Sequence, residues 1–212
     1  MDVLVLESEA GAADPTIHEL EEDGHSVFRC HDPGAAAFSC RALAGQGPCP
    51  LAEAGVDVTV ACRAKPGSRP SPLEDGVACA LRARVPLIVA GDVTVHPYEE
   101  WADQVVQDGD IVDACRRVLA APLRDHSRIA TDALRRALQR RRWSAGDSQA
   151  RVWRDSGRLR VLLEVIDELD DASRGTVATD VAAALRAFDP AIPKIDIALR
   201  PREGTRETGA IR

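Results

Sequence analysis

The chain has 212 residues, 45% hydrophobic, 29% charged and 3% aromatic, with a net charge of −7. That is enough for one large or two small folded units with aliphatic cores. It excludes a membrane span, since no stretch approaches the roughly 20 apolar residues required, and a secreted disulfide scaffold, since six cysteines are too few and too unevenly placed. The opening "MDVLVLESEAG" has no basic leader and meets Glu7 and Glu9 at once. A cytoplasmic protein with reduced thiols is therefore expected.

The charge is split. Residues 1–124 carry 20 acidic and 10 basic side chains; residues 125–212 carry 14 and 17. Such a difference suggests separate units.

In chain order, "VLVLES" (3–8) is a short apolar run suited to a buried parallel strand. "ADPTIHELEEDGH" follows as a helix, with Asp14 as cap, Pro15 in the first turn, Ile17 and Leu20 on one face and Gly24 as stop. Further strands are expected at 26–30, 56–62 and 86–92, with a short edge strand at 102–106. Helices are expected at 71–85 and 109–123. This β-α-β alternation predicts an α/β fold built on a doubly wound parallel sheet of flavodoxin type. Its functional rim lies at the strand carboxyl ends: Glu7, Ser8 and Glu9, then Cys62 and Arg63, then Gly91 and Asp92.

Over residues 1–122 this layout resembles a response-regulator receiver domain. The resemblance implies an acidic pair after strand one, a phosphoacceptor aspartate after strand three, a hydroxyl after strand four and a Lys-Pro after strand five. Here Glu7 and Ser8 stand at the acidic pair, Cys62 at the phosphoacceptor, Ala90 or Gly91 at the hydroxyl, and Gln107 and Asp108 at the Lys-Pro; "AKPG" (64–67) matches the family's Met-Pro-Gly loop. The set Glu7, Ser8, Cys62, Arg63 thus reads as a degenerate phosphorylation pocket. Phosphoryl transfer needs an anionic oxygen, a metal and a cation, and a thiol supplies none of that chemistry. Cys62 is expected either as a small buried residue or as a reactive thiol activated by Arg63 and Lys65.

The segment 30–55 is long for a connection between two strands. Cys30, His31, Cys40 and Cys49 are residue types that zinc accepts, spaced C-x9-C-x8-C without a C-x2-C knuckle. A zinc site, a redox pair and unpaired thiols packed under a loop all remain open; otherwise no cofactor is expected. No HExxH, Gly-x-Ser-x-Gly or Walker lysine is present, so no enzyme is expected. "TVHPYEEWADQ" (94–104) places Tyr98 and Trp101 either in a partner surface or over the sheet edge.

A basic connector helix is expected at 126–143, with Ile129, Ala133 or Leu134, and Ala137 or Leu138 on its apolar stripe and Arg135, Arg136 and Arg140 on other positions. These arginines read as a solvated face set against the acidic first half, or as a dimer or anion-binding helix. Nucleic acid is not the expected partner, because no recognition motif accompanies them. Residues 149–200 read as a small α+β (ββαβ) unit. It comprises a hairpin turning at Asp155-Ser156-Gly157, a helix at 173–188 capped by Ser173 or Thr176, and a strand at 193–200. Over 126–200 the order of elements and the "IDIAL" ending resemble the alkaline-shock-protein-like small domains, which implies an interaction module. Residues 201–212 read as a flexible tail. The leading expectation is a non-enzymatic signalling regulator or scaffold that works through protein partners, with homo-oligomers possible. The alternatives are a cysteine-based redox or zinc sensor and a nucleic-acid-associated regulator.

Overall fold

The structure is a computed structural model that describes residues 1–35, 39–53, 55–91, 94–107, 109–192 and 194–202. Asp92 and Asp108 of the expected rim, and residues 203–212 of the expected tail, lie outside the described residues. The chain divides into two compact units: Met1–Ala121 with Arg154–Arg158, and Pro122–Trp153 with Leu159–Arg212.

The first unit runs β1 (Asp2–Glu7), α1 (Asp14–Glu22), β2 (Ser26–Phe28), α2 (Pro50–Glu53), β3 (Val58–Arg63), α3 (Gly76–Arg82), β4 (Leu87–Gly91), β5 (Gln104–Val106) and α4 (Ile111–Ala120). The strands form one sheet in the order β2-β1-β3-β4-β5 with every pairing parallel. A parallel sheet must be covered on both faces, and the strand residues divide accordingly. Val3, Val5, Val58, Val60, Cys62, Ile88 and Ala90 pack with Ile17 and Leu20 of α1 and Ile111, Val112, Cys115 and Val118 of α4. Leu4, Leu6, Ala61 and Leu87 pack with Val77 and Ala80 of α3, Val85 and Tyr98. The aliphatic core that the composition demands is thus two layers around one α/β sheet.

Several ends differ from the sequence reading, each for a local reason. β2 stops at Phe28, which leaves Cys30 beyond the sheet. Strand three begins at Val58 and extends to Arg63, which pairs with Gly91. The helix expected at 71–85 starts instead as a 3₁₀ turn, Pro72–Glu74. Ser71 and Glu74 form a reciprocal capping box there, and α3 follows from Gly76. Asp14 is not the cap of α1 but lies inside it. The Glu7 carboxylate accepts from Gly11 N–H (3.0 Å) and Ala13 N–H (3.3 Å) at that helix entrance. α4 is capped by the Asp110 side chain and ends at Ala120, before Pro122.

The remaining elements are α5 (Arg124–Arg140), β6 (Gln149–Asp155), β7 (Arg158–Val165), α6 (Asp171–Phe188) and β8 (Lys194–Pro201), all of the second unit except the β6–β7 tip, Arg154–Arg158. Their strands form a sheet of order β6-β7-β8. Ser156 and Gly157, at φ 49° and 70°, make the tight turn between β6 and β7. Arg202 N–H donates to Val165 O (2.6 Å), which puts the carboxyl end of β8 beside that of β7. Leu159, Val161, Leu163 and Val165 face a core closed by Ala130, Leu134 and Leu138 of α5 and Val177, Val181 and Leu185 of α6. The α6 cap is Asp170, whose carboxylate accepts from Ser173 N–H (2.7 Å), rather than Ser173 or Thr176. Among the described residues no helix is long and apolar enough to cross a membrane.

Candidate functional site

The β1, β3 and β4 ends bring the expected rim together. Glu7 stands opposite Cys62, Cys62 opposite Ala90, and Arg63 opposite Gly91. Ser8 N–H donates to Cys62 O (3.0 Å), and the Ser8 hydroxyl bonds to the Glu9 carboxylate. Successive strand residues point to opposite faces, so Cys62 and Arg63 part company. Cys62, 2% exposed, enters the α1/α4 layer, where its thiol is 3.5 Å from the Thr16 hydroxyl. Burial pushes this thiol up to about 12, and the Glu7 charge adds to the rise against the Thr16 bond and Arg29. At neutral pH it is a protonated thiol and no nucleophile.

Arg63 turns to the other face and is 5% exposed. Its Nε donates to Glu74 Oε1 (2.8 Å) and its Nη2 to Glu74 Oε2, while Nη1 and Nη2 reach Gly67 O (3.2 Å) and Arg69 O (2.8 Å). Glu74 is fully buried and also accepts from Ser71 N–H (2.7 Å). This bidentate pair ties the loop after β3 to the turn before α3, so Arg63 does not serve to activate Cys62. The fit is close. A Cβ on Gly91, at φ 92°, would lie 2.1 Å from Arg63 O.

Beside this pair, His96 is 7% exposed; its Nδ1 accepts from Tyr98 N–H (3.2 Å), and its Nε2 has no partner among the described residues. Burial first, and then Arg63, lower it to about 4. The aromatic pair singled out in the sequence is divided: Tyr98 is in the core, whereas Trp101 is 52% exposed, with ring centroids 6.3 Å apart.

Cys30, His31, Cys40 and Cys49 are all half-buried. All six cysteines are free, and among the described residues no three His, Cys, Asp or Glu side chains are gathered so as to hold a metal. Glu7, Ser8, Cys62 and Arg63 thus share one rim of the sheet, but Cys62 and Arg63 are buried in opposite layers. On α5, Arg135 donates to Ser148 O (3.1 Å) and Arg140 to Asp180 (2.9 Å), while Arg136 is exposed. Two of the three arginines are thus engaged within their own unit.

Sequence reasoning placed His96 in the 94–104 stretch without seeing that it is buried, and missed Glu74 and Glu19, the latter's carboxylate accepting from Ile111 N–H (2.8 Å) at the α4 entrance. Glu74 had a signal, the Ser-Pro-Leu-Glu capping-box spacing. Glu19 and the burial of His96 had none, because their surroundings are set by tertiary structure. No protein-family model, curated protein or solved structure matches this chain.

Proposed function

We propose that the first unit is a doubly wound, receiver-like signalling domain that has given up phosphotransfer. In this reading the whole chain is a non-enzymatic cytoplasmic regulator or scaffold that acts through protein contacts. The observation that carries it is Cys62: at the end of the central strand, where a receiver holds its phosphoacceptor, the side chain is a buried, protonated thiol. Support comes also from the strand order, which is the flavodoxin-type 2-1-3-4-5, and from Glu7, whose carboxylate is committed to the α1 backbone. The contact surfaces would include Trp101 on the first unit and Arg136 on the second, both exposed. The second unit, similar in element order to small alkaline-shock-type domains, would be the interaction module. No cofactor is needed for this role.

The test is exposure of the purified chain to small-molecule phosphoryl donors with magnesium, read by intact mass. The expected result is no acid-labile phosphoryl adduct and an unchanged melting temperature. An adduct on Glu7 or any other first-unit carboxylate overturns the reading.

A further inference from the structure

In the second unit, α5 and α6 both pack on one face of the three-stranded sheet, against Ala150 and Val152 of β6, Leu159, Val161, Leu163 and Val165 of β7, and Leu199 of β8. Successive strand residues alternate between faces. Gln149 and Arg151 of β6, Glu164 of β7 and Arg200 of β8 therefore stand together on the other face. Because β7 is the central strand, Glu164 is flanked from both sides. Its Oε1 accepts from Arg200 Nε (3.1 Å) and Nη2 (2.6 Å), and its Oε2 from Gln149 Nε2 (2.7 Å) and Arg151 Nη2 (3.2 Å). Glu164 is 5% exposed, although Arg151 and Arg200 are themselves exposed. Arg200 above all holds its carboxyl below the usual range, against the rise that burial causes, and Gln149 and Arg151 add to this.

A cavity of about 280 Å³ opens here, lined by Gln149, Arg151, Glu164, Arg200, Pro201 and Arg202. Three guanidiniums face one carboxylate, an excess of two positive charges. The Glu164 oxygens are filled by their four donors, so this carboxylate orients the arginines. A guanidinium has five N–H donors; on Glu164 Arg151 uses one and Arg200 two, which leaves N–H edges for a ligand. Arg202 Nη1 donates to Asp147 O, and among the described residues no carboxylate pairs with it. The Asp167 carboxylate, two residues past β7, is taken by Ser144 N–H (2.7 Å). Stability gives little reason for such an arrangement, because ion pairs of exposed arginines contribute little once long side chains have been held in place. Guanidinium planes fixed by a buried carboxylate are what bidentate recognition of an oxyanion requires.

We propose that Arg151, Arg200 and Arg202, organised by Glu164, bind the phosphate of a phosphorylated side chain on a partner protein. Such a phosphate carries about −1.5 to −2 charge and three acceptor oxygens, which matches the excess charge and the three guanidiniums. A carboxylate, with one charge and two oxygens, leaves one cation unanswered. The cavity lies just below the range of small-molecule sites, roughly 300–1,000 Å³, so it suits a phosphorylated side chain better than a mononucleotide enclosed with its base and sugar. Arginine clusters are a general means of reading phosphorylated segments. The inference rests on the reading of the second unit as an interaction module and owes nothing to the receiver reading of the first.

The test is NMR titration of the isotopically labelled full chain at about pH 7.5, where phosphoserine is a dianion, in about 0.15 M salt. The probes are phosphoserine blocked at both ends, blocked serine, blocked aspartate, orthophosphate and adenosine monophosphate. The expected result is one saturable site for blocked phosphoserine, with shifts centred on Gln149, Arg151, Glu164, Arg200 and Arg202. Blocked aspartate binds more weakly and blocked serine does not bind. Arg202→Gln, at an exposed position past β8, weakens the phosphoserine probe roughly threefold or more at an unchanged melting temperature. Glu164→Gln separates an organised site from a merely basic patch. Losing a negative charge tightens binding to a patch, whereas losing the placement of the arginines weakens binding here. Should that variant fail to fold, Arg202→Gln decides. The proposal is overturned if phosphoserine does not saturate, if its shifts centre on other residues, or if aspartate binds as well. It is also overturned if Arg202→Gln binds like the parent or Glu164→Gln binds tighter. Tighter binding of orthophosphate or adenosine monophosphate than of phosphoserine overturns the assignment to a side chain. A phosphoryl adduct on the first unit leaves this site standing, so the two readings fail separately.

Discussion

Within the first unit, the end of β3 and the 30–55 connection hold the same reactive residue type in opposite surroundings. At β3, Cys62 is 2% exposed, Arg63 5% and Glu74 fully buried, and each has a partner from a different element. From Arg29 to Gly55 no described residue is buried, and Cys30, Cys40 and Cys49 are each half-buried. The rim, where a sequence reader looks first for chemistry, is closed by packing. The loop keeps its three thiols half-buried rather than closed in the core. Position in a fold does not make a residue functional; what matters is whether its valences are already used.

Breaking the rim should cost most. Glu74→Ala leaves a buried guanidinium unpaired and should destabilise the first unit by about 3–5 kcal/mol in denaturant unfolding. Replacing both partners, Arg63→Met with Glu74→Leu, should recover most of that loss, because the ion pair also carries a desolvation penalty. Full loss in the double variant would mean that the loop bonds to Gly67 and Arg69, rather than the pair, hold the rim.

Acid should find the same region next. His96 is held neutral in the fold at about 4 against 6.5 unfolded. Protonation therefore favours the unfolded chain. The stability this histidine contributes is whole above pH 6.5 and is lost as pH falls from there through about 4, on the order of 2–3 kcal/mol. The measurement is urea unfolding across that range, with His96→Gln as reference; equal slopes for the two proteins would remove His96 from the account. A smaller effect, about 1 kcal/mol, is expected for Cys62→Ala, which deletes one buried sulfur. The smallest is expected in the connection: Leu43→Ala should lie within about 0.5 kcal/mol of the parent. A larger loss there would show that Leu43 anchors the connection beside Cys30 and Leu51, which pack against the α3 layer.

Much of the architecture was legible in the chain. Short apolar runs separated by helical patterns specify a parallel sheet, and the period-2 pattern of Leu159, Val161, Leu163 and Val165 gave the inner face of β7. The Cys62 position was also legible, since a strand end can be counted. What could not be read was direction. Neighbours Cys62 and Arg63 look like a thiol and its activator until the pleat sends them to opposite layers. The approach of Cys30 to Gly76 carried no signal either, because only the packing of α3 against Leu6 of β1 brings them together. The caps differ because Asp170, before the expected Ser173 and Thr176, takes the Ser173 N–H, and the Glu7 carboxylate reaches the α1 entrance where Asp14 was expected to act.

The most direct test of whether the β3 end is packing rather than chemistry is site-resolved alkylation. Chelator-stripped, reduced native protein is treated with iodoacetamide at about pH 8, and each cysteine is followed by mass spectrometry. Cys62 and Cys115 are buried and pushed up to about 12, so they should react only as fast as the first unit unfolds, well after the exposed Cys79. Modification of Cys62 as fast as Cys79 in the folded protein would contradict the account and return the strand end to the list of reactive sites.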